Sequence, residues 1–278
     1  MPGTRIGEKA LTCLLYLSAL IIIGILLAIV GYIVYKGLAM INLDFIMQAP
    51  RRAGKEGGIS STIVGTLYLT VLSLAIAAPL GVGTAIHLEE YAQKESYFAY
   101  LVTLTAETLA AIPSIIYGLF GFVFFVIYLK LGWSIWSGSL TLAIMVWPTI
   151  TRTAQEAILS VPREYRENSL ALGASKWQTI RKIVIPAAIP GIVTGMILAL
   201  GRAIGETAAV LLTAGTSLGM PLSPADPARS MSVHLYMLAM EGLSMERAFG
   251  TAFLIIILLL FINYLANRSM SLLSHNGG

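Results

Sequence analysis

Charge is scarce in this sequence. Asp, Glu, Lys and Arg make up 12% of its 278 residues, about half of the roughly 25% usual in soluble domains. Hydrophobic residues reach 57% and mean hydropathy is +0.82. A chain of this kind cannot cover itself with a solvated surface, and it reads as an integral membrane protein. The pI near 9.2 is then no sign of nucleic-acid binding, because the basic residues lie in loops, where they set topology. Cys13 stands alone, which excludes an internal disulfide and a cysteine metal cluster. No G-x-x-x-x-G-K-[ST] phosphate loop occurs, so ATP is not expected to bind through that device. Gly81 and Gly83 begin a G-x-G that nothing completes, and they read as easing a bend near Pro79. His87, His234 and His275 are too far apart for metal-ligand spacing. Repeats, low-complexity tracts and a second domain are lacking too. One transmembrane domain is expected over 1–278, with its core at about 59–266.

What the sequence does contain is long apolar runs. The first, Leu11 to Tyr35, follows Arg5 and Lys9. It is too long for a signal-peptide core and has no small-residue cleavage pattern behind it, so an uncleaved span is expected. Five more are expected at about Ile59–His87, broken near Pro79; Tyr97–Leu129, with Pro113 inside; Gly138–Thr151, extending past Pro148 toward Ser160; Ala187–Thr213; and Ala248–Ala266. The runs are continuous rather than alternating, which makes them helices and not barrel strands. The expected fold class is an all-α polytopic membrane protein with six transmembrane helices.

Orientation follows from the basic residues. With the N-terminus inside, the cytoplasmic face holds Arg5, Lys9, Lys94, Arg152, Arg163, Arg166, Lys176, Arg181, Lys182 and Arg268. The outer face holds the smaller set Lys36, Arg51, Arg52, Lys55, Lys130, Arg229 and Arg247. Both termini then lie in the cytoplasm. Two outer segments are long, Gly37–Gly58 and Gly215–Arg247. Each is either a solvated connector or a docking surface for an extracytoplasmic partner.

Between spans four and five, within a loop of about 160–186, lies Glu167–Pro186, ENSLALGASKWQTIRKIVIP. Asn168 to Lys182 is rich in helix formers interrupted by Gly173, which can end a short helix or allow a neighbouring backbone to come close. Leu170, Leu172, Trp177, Ile180 and Ile183 supply apolar contact, while Arg166, Lys176, Arg181 and Lys182 stay polar. A short amphipathic helix at the membrane surface is expected, with Pro186 and Pro190 restarting the chain as span five. On the residues alone it is either a link between spans or a docking element; Trp and Arg are the types enriched where proteins meet.

The spacing resembles the EAA loop of ATP-binding-cassette importer permeases, E-A-A-x3-G-x9-I-x-L-P. Glu167 takes the Glu position, Asn168 and Ser169 replace the alanines, Gly173 takes the Gly position, and Ile183, Ile185 and Pro186 close the pattern. The resemblance implies a coupling helix between spans four and five that fits a groove on an ATPase subunit, with Trp177 among its contacts. Glu167 would orient the loop and Gly173 would permit close approach. It also implies alternating access driven by ATP, and a chain without catalytic residues of its own.

A second unusual stretch is Gly201–Ala208, GRAIGETA. If span five begins near Pro190, Arg202 lies about 18 Å along it at 1.5 Å per residue, near the middle of a roughly 30 Å apolar layer. A charge there costs about 2.5–3.5 kcal/mol on insertion scales and faces a partner or a wet path. Arg202 and Glu206 are spaced i,i+4 and can pair on one face. Glycines at 191, 195, 201 and 205 are expected to let this helix pack closely. The pair is either structural or lines a translocation path with Thr207, where an arginine fork suits an oxyanion. Glu107, Arg152 and Glu156, near the inner ends of spans three and four, either snorkel and pair i,i+4 or form an inner gate. Ser114 and Tyr117, beside Pro113, either offer hydroxyls to a path or pack between helices.

The strings GGISSTIVGTLYLT, APLGVGTAIHLEEYA, IPSIIYGLFG, RTAQEAILSVPREYRENSLALGASKW and PAAIPGIVTGMILALGRAIGETAAVLLTAG are similar to those of phosphate-specific importer permeases, and RRAGKEGGI to the PstA-type subunit. Ala209-Val210 stands where many relatives carry a proline-containing run, which weakens the signal for a bend there. The resemblance implies inorganic phosphate as cargo, a PstC-type second permease, and two PstB-type ATPases holding ATP and magnesium. It also implies a periplasmic or lipid-anchored phosphate-binding protein. This chain would bind no cofactor or nucleic acid and would sit among lipid in a bacterial cytoplasmic (inner) membrane. Sulfate, molybdate or an organic solute is the alternative cargo. A standalone carrier should show broken helices or repeats, neither of which is evident. A membrane enzyme should show clustered reactive groups; His87, Glu89 and Glu90 come nearest and read better as a span end.

Overall fold

The computed structural model describes the chain over 3–93 and 96–275, with side chains described over 11–93, 96–265 and at Arg268. Lys94 and the side chains of Arg5, Lys9 and His275 therefore lie outside the described residues. The described chain is almost wholly helical. Four helices are long and apolar enough to cross a membrane, within Leu11–Leu38, Ser60–Tyr91, Lys176–Gly205 and Met245–Leu265, and a sharply bent pair makes a fifth if counted as one span.

The centre is α3 (Ser60–Ile86) packed along α6 (Ile135–Leu159). Leu69, Leu142, Met145, Val146 and Ile150 are fully buried between them and their neighbours. Small residues let the two backbones approach. A Cβ at Gly138 would fall 2.6 Å from Leu69, and one at Gly81 would fall 2.8 Å from Ile150. Gly81 is thus a packing glycine. The expected break at Pro79 does not occur, since α3 runs through that proline as one helix. α6 has 25 residues, enough to cross, but serines, threonines and Arg152 dilute its apolar run. The physical reason is burial: its partners are other helices rather than lipid, so it needs no continuous apolar surface.

The remaining elements wrap this pair. α1 (Gly3–Leu38) lies along α12 (Met245–His275), where Tyr32 and Phe249 meet edge to face at 5.5 Å. Most of α1 is apolar and exposed, as a lipid-facing helix must be. α4 (Tyr97–Ala111) and α5 (Ser114–Gly121), which continues as a π-helical stretch over Phe122–Tyr128, bend by 105° at their junction. The single expected span over Tyr97–Leu129 is therefore broken. Proline lacks the N–H that would continue the ladder and excludes the helical region for the residue before it. Ile112 and Pro113 accordingly take ψ of 131° and 140°.

The two long segments expected on the outer face are not solvated connectors. After α2 (Leu43–Met47), β1 (Pro50–Arg51) and β2 (Glu56–Gly57) form an antiparallel hairpin. Gly54 at its tip lies against the ring of His234 in α11 (Met231–Met240), and Arg247 donates to the Gly57 carbonyl. The chain over 215–230 is tied down as well. Ile135 and Trp136 donate backbone bonds to Asp226 and Pro224, and Met231 donates to Thr66 Oγ1 at 2.8 Å.

Arg229 is buried in this outer cap, its Nε 2.9 Å from the Thr216 carbonyl and its Nη1 3.4 Å from His234 Nδ1. Burial, then the Arg229 and Arg247 charges, push His234 down from 6.5 to about 4. The opened cap would take up a proton near pH 6.5 while the closed cap resists it to about pH 4. Stability is therefore full above pH 6.5 and falls as pH drops through that window, by on the order of 3 kcal/mol. Thermal unfolding of the purified protein in detergent should show this slope between pH 6.5 and 4, and His234→Gln should flatten it.

Candidate functional site

The polar loop is ordered by turn chemistry. Pro162 starts α7 (Arg163–Ala171), nine residues long. The helix ends in a Schellman turn, with Gly173 N–H donating to the Leu170 carbonyl and Ala174 N–H to the Ser169 carbonyl. Gly173 takes φ +83°, and a Cβ there would meet nothing within 4 Å. Within this chain glycine is required for its left-handed backbone, not for space. Ser175 then opens α8 (Lys176–Thr179) with a capping box, accepting from Gln178 N–H while Gln178 Oε1 accepts from Ser175 N–H at 2.8 Å. Ser169 and Thr179 hydroxyls meet at 2.9 Å and join the two helices. A π-helical turn over Ile180–Val184 leads into α9 (Ile185–Gly205), with Pro186 in its first turn. Of the two readings of Gly173, the one in which it ends a short helix holds: the amphipathic stretch is two short helices folded at Gly173, and the first begins earlier than expected, at Arg163.

Glu167, Leu170, Leu172, Trp177 and Pro186 are exposed, and Ile183 is half-buried. Leu172 at 89% and Trp177 at 54% exposure present apolar surface on a loop where Arg181 and Lys182 are also exposed. In the same loop Arg166 is half-buried, although in sequence it is only one basic residue among several. Its Nε lies 2.9 Å and its Nη2 2.8 Å from Glu90 Oε1, Nη1 lies 2.8 Å from the Val161 carbonyl, and Nη2 lies 2.9 Å from the Ile158 carbonyl.

Arg202 and Glu206 do not pair as expected. α9 stops at Gly205, and Glu206 is extended with ψ 129°. Its carboxylate turns forward and accepts from Ala209 N–H at 3.2 Å, capping α10 (Ala208–Thr213), while its carbonyl accepts from the Ser232 hydroxyl at 2.6 Å. An i,i+4 pair needs four continuous helical residues, and the break removes them. Ion pairs among the described residues join Arg52 to Glu56, Arg152 to Glu107 and Arg166 to Glu90, and none involves Arg202. Arg202 and Thr207 are half-buried, and Arg202 is within electrostatic reach of Tyr117 on α5.

The two helix breaks lie on packed elements. α5 rests on α10, and a Cβ at Gly118 would fall 2.9 Å from Ala209 Cα. Tyr117 OH donates to the Leu109 carbonyl at 2.5 Å, bracing the bend. The glycines of α9 divide: those at 191 and 195 pack tightly on Ala157 and Thr153 of α6, whereas those at 201 and 205 have no close neighbour. Broken helices are therefore present, against expectation, and their absence cannot argue against a carrier.

A family model described as "Binding-protein-dependent transport system inner membrane component" matches residues 77–276. The chain belongs to that family. It is an ABC importer permease, a non-catalytic membrane subunit. This permease is 34% identical over 274 residues to the Bacillus subtilis (strain 168) protein described as "Probable ABC transporter permease protein YqgI", covering 92% of this chain and 93% of that one. It is 32% identical over 266 residues to the phosphate transport system permease protein PstA of Mycobacterium leprae (strain TN), covering 93% and 87%. Among solved structures, a bacterial ABC transporter that imports alginate aligns with TM-score 0.65 at 17% identity, over 95% of this chain and 99% of that one. The inward-facing methionine transporter MetNI aligns with TM-score 0.63 at 20% identity, over 77% and 93%. These two likenesses show the fold.

In the permease, two of the three gate candidates come together. Arg152 reaches Glu107 on α4 at 3.4 Å, with both side chains about half exposed at 51% and 53%. The pair crosses between helices rather than running along α6 to Glu156, which is exposed one turn further on. Ser114 is half-buried at the start of α5 and Tyr117 is buried behind it.

The Schellman turn makes the Gly173 requirement conformational. Gly173→Ala should cost about 1 kcal/mol and open the loop to trypsin at Lys176 and Arg181. Gly173→Asn should be milder, because asparagine tolerates the left-handed region. Proteolysis rates of the purified permease test the order; a better-tolerated alanine would mean that space, not φ, is what glycine supplies.

Proposed function

We propose that this permease carries inorganic phosphate into the cell by ATP-driven alternating access, as the PstA-type half of a heterodimer with a PstC-type permease. Its six crossings would be α1, α3, the bent α4–α5 pair, α6, α9 with α10, and α12, with both termini in the cytoplasm of a bacterial inner membrane. Of two PstB-type ATPases, holding ATP and magnesium, one would dock on the α7–α8 loop around Trp177 and Leu172 and the other on the PstC-type permease. A periplasmic or lipid-anchored phosphate-binding protein would deliver cargo to the outer cap.

The observation that carries the oxyanion reading is Arg202. It sits in the last turn of a long apolar helix, and the carboxylate four residues on has been turned away to cap α10. A cation in the apolar layer is stable only against a counter-charge or a wet path, and an arginine fork fits tetrahedral oxyanions. The adjoining breaks in α4–α5 and α9–α10 are the kind of irregular backbone tolerated where it lines a cavity. Phosphate, rather than sulfate or molybdate, is supported by likeness to PstA along nearly the whole chain.

The test is uptake of labelled phosphate by the complex reconstituted in vesicles with internal ATP. Uptake should need ATP and should persist under excess sulfate or molybdate. Arg202→Gln should lower it at least a hundredfold while the complex still assembles and is recovered intact. Normal uptake by that variant would remove Arg202 from the path, and inhibition by sulfate or molybdate would shift the cargo.

A further inference from the structure

We infer that Arg166 is the positioning residue through which movement of the coupling helix α7 reaches the inner ends of α3 and α6. The inference rests on the ATP-driven import proposed above.

α7 has little else to hold it to the body of the permease. Its one buried residue is Ser169, and that hydroxyl bonds forward to Thr179 in α8, within the same loop. An apolar face cannot anchor it, since Leu170 and Tyr165 are about half exposed. Arg166 supplies the connection instead. Its guanidinium accepts no bond and donates to three places at once. Two are the carbonyls of Ile158 and Val161, at the end of α6. Carbonyls at a helix end lack intrahelical donors and carry the negative end of the dipole, so a cation there is well placed. The third is Glu90, whose side chain is only 9% exposed and which lies in the π-helical turn His87–Tyr91 that follows α3.

The surroundings fix that turn from both sides. Gln155 of α6 donates to Glu89 Oε1 at 2.8 Å. Lys176 of α8 sits 5.0 Å above the Tyr91 ring. Thus α3, α6, α7 and α8 converge on His87–Tyr91, and Arg166 is the residue of α7 that bonds both to the end of α6 and to the turn after α3. π-helical turns are short, irregular pieces that recur at functional sites. Here one follows α3 and another, Ile180–Val184, precedes α9. A load on α7 therefore enters the rigid α3–α6 pair through one planar group flanked by two deformable turns.

A simple salt bridge would need only opposite charges at 166 and 90. The geometry found needs a fork, because three acceptors lie in different directions. Lysine keeps the charge but cannot reach all three.

The experiment measures ATP hydrolysed per phosphate imported by the reconstituted complex, together with assembly and thermal midpoint. Arg166→Lys should assemble and continue to hydrolyse ATP, with phosphate moved per ATP reduced at least tenfold. Glu90→Gln, nearly isosteric, keeps the two carbonyl bonds and should reduce the ratio about threefold. Exchange of the pair, Arg166→Glu with Glu90→Arg, should not restore it, because a carboxylate at 166 faces carbonyl oxygens. An unchanged ratio in Arg166→Lys and Glu90→Gln, whether or not rates fall, overturns the inference. So does loss of assembly in both, or full rescue by the exchange. If the wild-type complex itself shows no ATP-driven oxyanion uptake, the functional reading fails in that control, and the inference falls with it.

Discussion

Backbone N–H and C=O groups cannot be left unpaired in hydrocarbon, and this constraint governs where the permease departs from plain helices. Two spans are interrupted inside the protein, at Ile112–Pro113 and at Gly205–Thr207. Side chains bond to backbone groups at both interruptions. Tyr117 donates to a carbonyl released by the first, Glu206 accepts from an N–H at the start of α10, and Ser232 donates to the Glu206 carbonyl. Each group that satisfies the backbone is thereby unavailable for another task. Glu206 is the clearest case, because capping α10 takes it from Arg202.

The same accounting explains the loop between α6 and α9. The segment 160–185 buries apolar side chains only at its two ends, Val161 and then Ile180 and Val184, yet the stretch between them is ordered. Its order comes from terminal hydrogen bonds: a Schellman turn at Gly173, a capping box at Ser175 and Gln178, and the Arg166 fork on the end of α6. Capping and turn bonds contribute about 1 kcal/mol each, enough to hold a shape and few enough to let it move as a unit. Leu172 and Trp177 remain uncovered on the far side, apolar area that a partner can bury.

Much of this was legible in the residues. Continuous apolar runs marked α1, α3, α9 and α12, because lipid-facing helices must be apolar over their whole length, whereas α6 is diluted by polar residues and faces other helices. The Glu167–Gly173–Pro186 spacing marked the loop, and the glycine's left-handed turn is a local property that sequence carries well. What sequence could not carry was the alternative partner. Arg202 and Glu206 are spaced for pairing, and only the structure shows that the helix ends between them. Arg152 and Glu156 are spaced for pairing too, yet Arg152 crosses to Glu107, forty-five residues earlier in the chain. Arg166 gave a weaker signal still. An arginine at the inner edge of a membrane is ordinary, and Glu90 lies 76 positions away. The outer cap was misjudged for a related reason. Prolines and glycines in 215–230 suggest a connector, but their backbone groups are consumed by bonds to α6 and α3.

The long-range pairings also say what connects the two candidate sites. α9 begins at the π turn that ends the α7–α8 loop and stops three residues past Arg202. Along its first half it is pressed on α6 through the glycines at 191 and 195, and the lower end of α6 is held by Arg166. At its other end Gly201 and Gly205 border open space, while Ala199, Ala203 and Ile204 of the same turns are buried. Arg202 is one turn from that end. The chain thus places Arg202 at the far end of a helix whose first half is tied through α6 to the α7 loop, and it leaves the charge without a carboxylate on its own helix that would move with it.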